Sequence, residues 1–305
     1  MVHTTTVVEP RVTMLTPGEL LVRTHYGFQM VVPGWNTDVA PGIVRDGIIE
    51  PWTNALFLSG LNFGDTVVNV GANFGFYALL AGSRVDHTGK VYAVEANPAV
   101  FPYLVKSAYW SGMIGRLKLF NCAAVSPEMH ERELEFMFDP QYIGNGQLDT
   151  GVAGLPTMND CMWSHANMHM ALDENRMFAA KGIYTKVKTQ GRMLDTIVPS
   201  TEIVSTMLID AEGSESYVVA GAKETIRRNP NMAIIMEWDS SVYHKDAQCR
   251  PHIDAMWDFL LNEMKFRAFR VSTDNYRGVG SMPDLIECKR SQLYETPHGD
   301  FLLKK

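Results

Sequence analysis

Thr66-Val67-Val68-Asn69-Val70-Gly71-Ala72-Asn73-Phe74-Gly75 decides the fold. Its first five residues are mostly β-branched and suit a fully buried strand, and the two glycines allow a tight turn into a following helix. Such a strand, turn and helix bring backbone N–H groups to a ligand at the helix N-terminus. The glycine spacing is G-x-x-x-G with Asn73 between, whereas a pyrophosphate is seated by G-x-G-x-x-G, so a nicotinamide dinucleotide is disfavoured. Outward from this stretch the rhythm repeats. Residues 90–95 read as a second strand, Pro98 opens a helix to about Gly112, and 117–121 form a third strand. Residues 203–210 and 232–237 are further strands, separated by a helix over 214–228 that Pro230 stops. Ile253, Met256, Trp257, Leu260, Leu261 and Met264 then follow helical spacing. Residues 266–271 and either 284–288 or 301–303 close the series. Strands alternating with helices specify right-handed crossovers and a sheet covered on both faces. The expected fold is α/β, a doubly wound, mostly parallel, seven-stranded sheet.

Two regions break the rhythm. Residues 1–60, with short β-like runs such as Leu20-Leu21-Val22, are expected to form an N-terminal cap, leaving 61–305 as the main domain. Residues 126–190 carry seven of the 18 methionines. A structureless loop of that length is unusual in a compact domain, so this insertion is expected to hold its own hairpin and short helix and to act as a lid. Methionines there suit an irregular apolar ligand, and equally an ordinary core.

Composition narrows the function. With 305 residues, 46% hydrophobic and 20% charged, the chain can bury a core without staples and is not of disordered or coiled-coil composition. A net charge of −7 gives non-specific nucleic-acid binding no electrostatic source. Cys122, Cys161, Cys249 and Cys288 have neither zinc nor disulfide spacing and fit a reducing compartment. The longest uncharged stretch, 66–83, is interrupted by Asn69, Gly71, Asn73, Gly75 and Gly82, so no membrane span is expected. Met1-Val2-His3-Thr4-Thr5-Thr6 lacks the features of a secretory leader. A cytoplasmic protein with a small-molecule partner, and neither nucleic acid nor membrane, is the expectation.

Glu95 ends the second strand, 20 residues after Gly75, where a carboxylate accepts the hydroxyls of a ribose. With the glycine turn it points to an adenosine ligand without a diphosphate, for which S-adenosylmethionine is the common candidate. Downstream, Leu208-Ile209-Asp210-Ala211-Glu212-Gly213-Ser214-Glu215 puts three acids where a strand ends and a helix begins. Ligands of open α/β sheets bind at that edge. Acids in a first helical turn are also favoured by the helix dipole alone, which is an equal reading for Glu215.

With these motifs in order, the sequence resembles the FkbM family of S-adenosylmethionine-dependent methyltransferases. The resemblance rests on Val70-Gly71-Ala72-Asn73-x-Gly75, Glu95-x-Asn97-Pro98, Asn121-x-Ala123-Ala124-Val125-Ser126, Leu194-Asp195-Thr196-Ile197, and Ile209-Asp210-x-Glu212-Gly213-x-Glu215 followed by Gly221-Ala222. It spans roughly residues 47–238, and Gly47-Ile48-Ile49-Glu50 is similar to a glutamate-bearing segment that precedes the fold in that family. The resemblance implies a Rossmann-like class I fold, with Glu50, Asn69, Gly71, Asn73, Gly75, Glu95, Asn121 and Asp210 on the cofactor. It also implies methyl transfer to a hydroxyl of a sugar, polyketide or similar metabolite. The chain departs from the family at Asn69, usually Asp, and Leu208, usually Lys. A scaffold that binds the cofactor without turnover is therefore the competing reading.

Candidate bases are Asp210, Glu212 and Glu237 at strand ends, with His244 shortly after. Asp210 and Glu237 are expected to close adjacent strands about 5 Å apart, with Asp239 just beyond. Such a trio is a candidate site for Mg²⁺. His165 and His169, four apart, are a second metal candidate, weighed against ordinary surface histidines.

Overall fold

The computed structural model describes residues 11–140, 142–149, 185–245, 249–296 and 298–305. Strands, in chain order, are β1 (Arg11–Thr16), β2 (Glu19–Arg23), β3 (Gln29–Pro33), β4 (Thr66–Val70), β5 (Lys90–Glu95), β6 (Leu117–Asn121) and β7 (Ala123–Ala124). After them come β8 (Glu133–Asp139), β9 (Tyr142–Asp149), β10 (Thr185–Arg192), β11 (Val204–Ile209), β12 (Ala233–Trp238), β13 (Arg267–Ser272), β14 (Asp284–Cys288) and β15 (Gly299–Lys304).

The central sheet runs β14-β13-β15-β12-β11-β4-β5-β6. It therefore has eight strands among the described residues, not seven. Both C-terminal candidates are strands: β15 wedges between β12 and β13, antiparallel to each, and β14 pairs antiparallel with β13 at the edge. The β12-β11-β4-β5-β6 portion is parallel throughout. Every residue of β4 is buried, as the continuous apolar run of a doubly covered strand requires.

From β4 the chain winds outward to β5 and β6 in one direction and to β11 and β12 in the other. The crevice between the carboxyl ends of β4 and β11 is thus the switch point of the sheet, where such folds bind ligands. One apolar cluster on the first face gathers Val67, Leu79, Leu80 and Leu208, together with Met30 and Ile43 from the N-terminal region. A second, on the opposite face, gathers Val68, Val70, Ile209, Ile226, Trp238 and Trp257.

Helix boundaries differ in places from the periodicity. Helix α1 spans Val39–Asp46, α2 Pro51–Ser59, α3 Phe76–Val85 and α4 Phe101–Trp110. Helix α4 starts beyond Pro98 because Asn97 first turns the chain, accepting the Ala99 N–H on its side chain and the Val100 and Phe101 N–H groups on its carbonyl. The 214–228 segment is two helices, Glu215–Ala220 and Lys223–Arg228. The break falls at Gly221, which lies so close to Val125 that a β-carbon would overlap its carbonyl oxygen. The amphipathic 253–264 stretch is α-helical to Trp257 and π-helical over Asp258–Glu263, with Ile253, Met256, Trp257 and Leu260 buried as the spacing requires.

Residues 11–33 form a three-stranded antiparallel sheet, β1-β2-β3. Residues 123–192 contain a second small sheet, β7-β10-β8-β9, whose β8 and β9 form an antiparallel hairpin. Asp38 ties this hairpin to α1, capping the Val39 N–H with one oxygen and accepting the Gly144 N–H at 2.7 Å with the other. Met129 is buried; Met158, Met162, Met168, Met170, Met177, His165 and His169 lie outside the described residues. Among the described residues, no helix is long and apolar enough to cross a membrane.

Candidate active site

A cavity of about 190 Å³ opens at the switch point. Glu50, Gly71, Asn73, Glu95, Asp210, Glu212 and Glu237 all line it, although they come from five separate parts of the chain. Val39, Ile43 and Ile49 form one apolar wall, and Phe136, Ile143 and Leu148 of the small sheet form another.

Gly71 follows β4 at φ +75°, and a β-carbon on it would overlap the carbonyl oxygen of Asp210, which follows β11. Glycine is thus required twice over, for the left-handed backbone and for the contact between neighbouring strand ends. The Gly71 and Ala72 N–H groups both donate to the Val94 carbonyl at 3.0 Å, and the turn swings the Asn73 N–H onto Glu95.

Glu95 is 7% exposed, and its two oxygens accept the N–H groups of Asn73 and Asn97, each at 2.7 Å. Burial pushes its carboxyl up to about 7, and the two backbone donors restrain the rise. Glu215 is handled in the same way. It accepts from Ala211 and Gly213, and burial pushes it up to about 7. Its role in the helix-turn geometry is therefore an internal one, and it does not line the cavity.

The other end of the cavity is built differently. Asp210, Glu212 and Glu237 can bring one carboxylate oxygen each within 4.8 Å of one another. Asp210 directly follows β11, and Glu237 is the next-to-last residue of the adjacent parallel strand β12, with Ile209 opposite Met236. Burial and then the charge of Asp210 hold both Glu212 and Glu237 well above the usual carboxylate range. Glu50 is an exposed residue that lines the cavity. Its carboxyl, with the Tyr77 hydroxyl donating at 2.6 Å, is pushed up to about 8 by burial and by Asp300 and Asp210. Of the six non-glycine residues with positive φ among the described residues, Glu50, Asn73 and Glu212 belong to this cavity. Backbone strain is thus concentrated where the side chains converge.

Several expected site residues lie elsewhere. Asn69 is wholly buried inside β4 and does not line the cavity. It sits opposite Leu208 in register, so the two departures from the family pattern are neighbours on one face. Gly75 caps α3 at φ +99° and packs against Leu104 rather than on the cavity. Asn121 is exposed and donates its side-chain amide to the Glu95 carbonyl at 2.9 Å; its neighbour Cys122 lines the cavity instead. Asp239 is not part of the acid group, because both its oxygens are taken by the N–H and hydroxyl of Ser241 at 2.7 Å. His244 is turned to the Tyr294 carbonyl. Residues the sequence reading did not single out are Thr53, Tyr77, His298 and Asp300: Asp300 accepts from the Thr53 hydroxyl, and His298 contacts Glu237. An acid just before the apolar run Phe301-Leu302-Leu303 is the one signal that could have found Asp300.

Comparison with known proteins follows the same line. Among curated proteins none matches the sequence. Solved structures to which the chain is similar include precorrin-6y C5,15-methyltransferase from Geobacter metallireducens GS-15 (10% identity, 88% of this chain and 95% of that one, TM-score 0.39). An O-methyltransferase from Bacillus cereus in complex with SAH is 9% identical over 89% of this chain and 82% of that one, with a TM-score of 0.39. Aeropyrum pernix fibrillarin with bound S-adenosyl-L-methionine is 12% identical over 98% and 100%, with a TM-score of 0.38. The methyltransferase FkbM domain matches residues 69–271, more than half of the chain, taking in the end of β4 and all of the strands from β5 through β12. The chain therefore belongs to the FkbM family of S-adenosylmethionine-dependent methyltransferases.

Proposed function

We propose that the protein methylates a hydroxyl of a small metabolite with a partly apolar body. The observation that carries this reading is the division of one cavity into a donor-anchored carboxylate, Glu95, and a separate acid group, Asp210, Glu212 and Glu237, beneath apolar walls. S-Adenosylmethionine, when bound, supplies an electrophilic methyl on sulfur. Glu95 fits its ribose: with two backbone N–H groups fixing the carboxylate, its remaining lone pairs are oriented into the cavity without further ordering. The Gly71 turn leaves the backbone bare for close approach, and Asn73 closes the same edge.

At the other end, Asp210 and Glu237 would hold the acceptor hydroxyl and take up its proton, while the bound cofactor would supply the methyl and its sulfur would keep the carbon–sulfur electron pair. Glu212 and Glu237, held well above the usual carboxylate range, are stronger bases than exposed glutamates once deprotonated. Val39, Ile43, Phe136, Ile143 and Leu148 exclude water from that path. A chain that binds the cofactor without turnover is the second reading, favoured by the uncharged Asn69 and Leu208 pair.

The test is a panel of hydroxylated sugars and polyketides incubated with methyl-labelled cofactor, read by mass spectrometry. Transfer to oxygen that is lost in Asp210→Asn supports the first reading. Tight S-adenosylhomocysteine binding with no transfer to any acceptor favours the second, and transfer to nitrogen or carbon removes the hydroxyl.

A further inference from the structure

Beside the main cavity lies a smaller one of about 10 Å³, room for a single atom-sized occupant. Its lining holds four carboxylates, Glu50, Asp210, Glu237 and Asp300, and two hydroxyl side chains, Thr53 and Tyr77. Glu50, Tyr77, Asp210 and Glu237 are shared with the main cavity, and Glu212 faces Asp210 and Glu237 from that side. Among the described residues, neither lining includes a Lys, Arg or His. His298 contacts the group at Glu237.

Two further observations, outside the mere gathering of acids, point to a ligand. The Asp210 Oδ1 is sealed from solvent and has no nitrogen or hydroxyl donor among the described residues, the carboxyl of Glu237 being the hydrogen-bonding neighbour of this side chain. The Asn69 Oδ1 is likewise without a donor among the described residues, on a side chain that is 0% exposed and lines neither cavity, and its amide makes a 3.5 Å contact to the Val70 carbonyl. Leu208, beside Asn69 on the same face of the sheet, lines the small cavity. Val67 and Leu208 belong to the apolar cluster on that face and Val68 and Val70 to the opposite one, so strand alternation directs Asn69 to the side on which Glu50 and Tyr77 lie. Buried oxygens without donors carry a large desolvation cost unless a ligand satisfies them. Oxygen-only donors around an atom-sized space are the surroundings that hard cations take.

We propose that this small cavity binds one cation, held by Asp210 and Glu237 with Glu50 and Asp300 completing the oxygen shell. The cation is either a free divalent metal ion or the primary ammonium of the methyl acceptor. Both present a compact positive charge, double on the metal and single on the ammonium, to the same oxygens. The site adjoins the methyl-transfer site, and its bearing on turnover rests on the reading given above; its occupancy does not. A cation here would stand behind Asp210 and Glu237 and fix their orientation toward the acceptor.

The experiment titrates the full-length protein, with and without saturating S-adenosylhomocysteine, with Mn²⁺, Mg²⁺, Ca²⁺ and, separately, ethylammonium. Calorimetry is the readout for all four, with electron paramagnetic resonance for Mn²⁺. The expected result is one saturable cation per chain, weakened at least about tenfold in Asp300→Asn and unchanged in Asp239→Asn. S-Adenosylhomocysteine binding by Asp300→Asn establishes that the variant is folded. Saturation by metal assigns a metal site, and saturation by ethylammonium alone assigns an amine-bearing acceptor; both support the proposal. Absence of saturable binding by any of the four at millimolar concentration overturns it, as does equal affinity in Asp300→Asn. Cation uptake by a protein that does not bind S-adenosylhomocysteine would uphold the cation site while removing the methyl-transfer reading.

Discussion

At one end of the cavity Glu95 accepts two backbone N–H groups at 2.7 Å, while at the other Asp210, Glu212 and Glu237 crowd within 4.8 Å of one another. Both ends use carboxylates withdrawn from water by the same sheet edge. At the first, the protein itself supplies the donors, so the group is fixed before any ligand arrives. At the second, the three acids face one another, with His298 against Glu237. The lesson is that burial alone does not define a carboxylate's task; its partners do.

The largest expected effect breaks both ends at once. Gly71→Ala forces a β-carbon onto the Asp210 carbonyl and into a left-handed backbone, so urea denaturation should register a loss of about 3 to 5 kcal/mol. A loss under about 1 kcal/mol would mean the two strand ends are not in contact. Next, Glu95→Ala removes only the anchored end. Its affinity for S-adenosylhomocysteine should fall on the order of a hundredfold, roughly 3 kcal/mol, by calorimetry; unchanged binding would remove Glu95 from the ribose.

A smaller effect sharpens the contrast from inside the sheet. Asn69→Asp adds a buried charge and should cost about 2 kcal/mol, whereas the same change combined with Leu208→Lys, its cross-strand neighbour, should recover at least about 1 kcal/mol. A double-mutant cycle with no coupling would separate the two positions. The mildest effect is on pH. Glu50 is raised to about 8 and Glu95 and Glu215 to about 7 in the folded chain, while unfolded glutamates titrate near about 4.3. The folded state then binds more protons, so stability is fully present below about pH 4.3 as far as these groups are concerned and is lost as pH rises toward about 8. The ligand-free melting temperature should fall by a few degrees from about pH 5 to about pH 8, and by less in Glu50→Gln. A melting temperature that rises across that window would contradict the raised carboxyls.

The anchored end was legible in the sequence, and the crowded end only in part. Strands β4, β5, β11 and β12 advertise themselves because each is buried along nearly its whole length. Strand β14 is mostly exposed, so it carries no alternation to read. Asp300 belongs to the acid group solely because β15 wedges between β12 and β13, a matter of sheet order that local pattern does not encode. Asn121 and Cys122 look equally eligible at a strand end, and the pleat decides between them. Glu212 owes its place to a positive φ, which residue type does not announce.

The small sheet has one further consequence. Its chain leaves and returns side by side, because Ala123 and Ala124 pair in parallel with Gly191 and Arg192. Everything between is an excursion closed at its base, and doubling the length of such a loop adds only about 0.6 kcal/mol of closure entropy. Phe136, Ile143 and Leu148 lie within it, while Glu95, Asp210 and Glu237 lie outside. Under the function proposed above, this wall of the cavity would be an exchangeable cassette. A lineage could trade it for a longer or shorter one and change its choice of metabolite, leaving the grip on the methyl donor untouched.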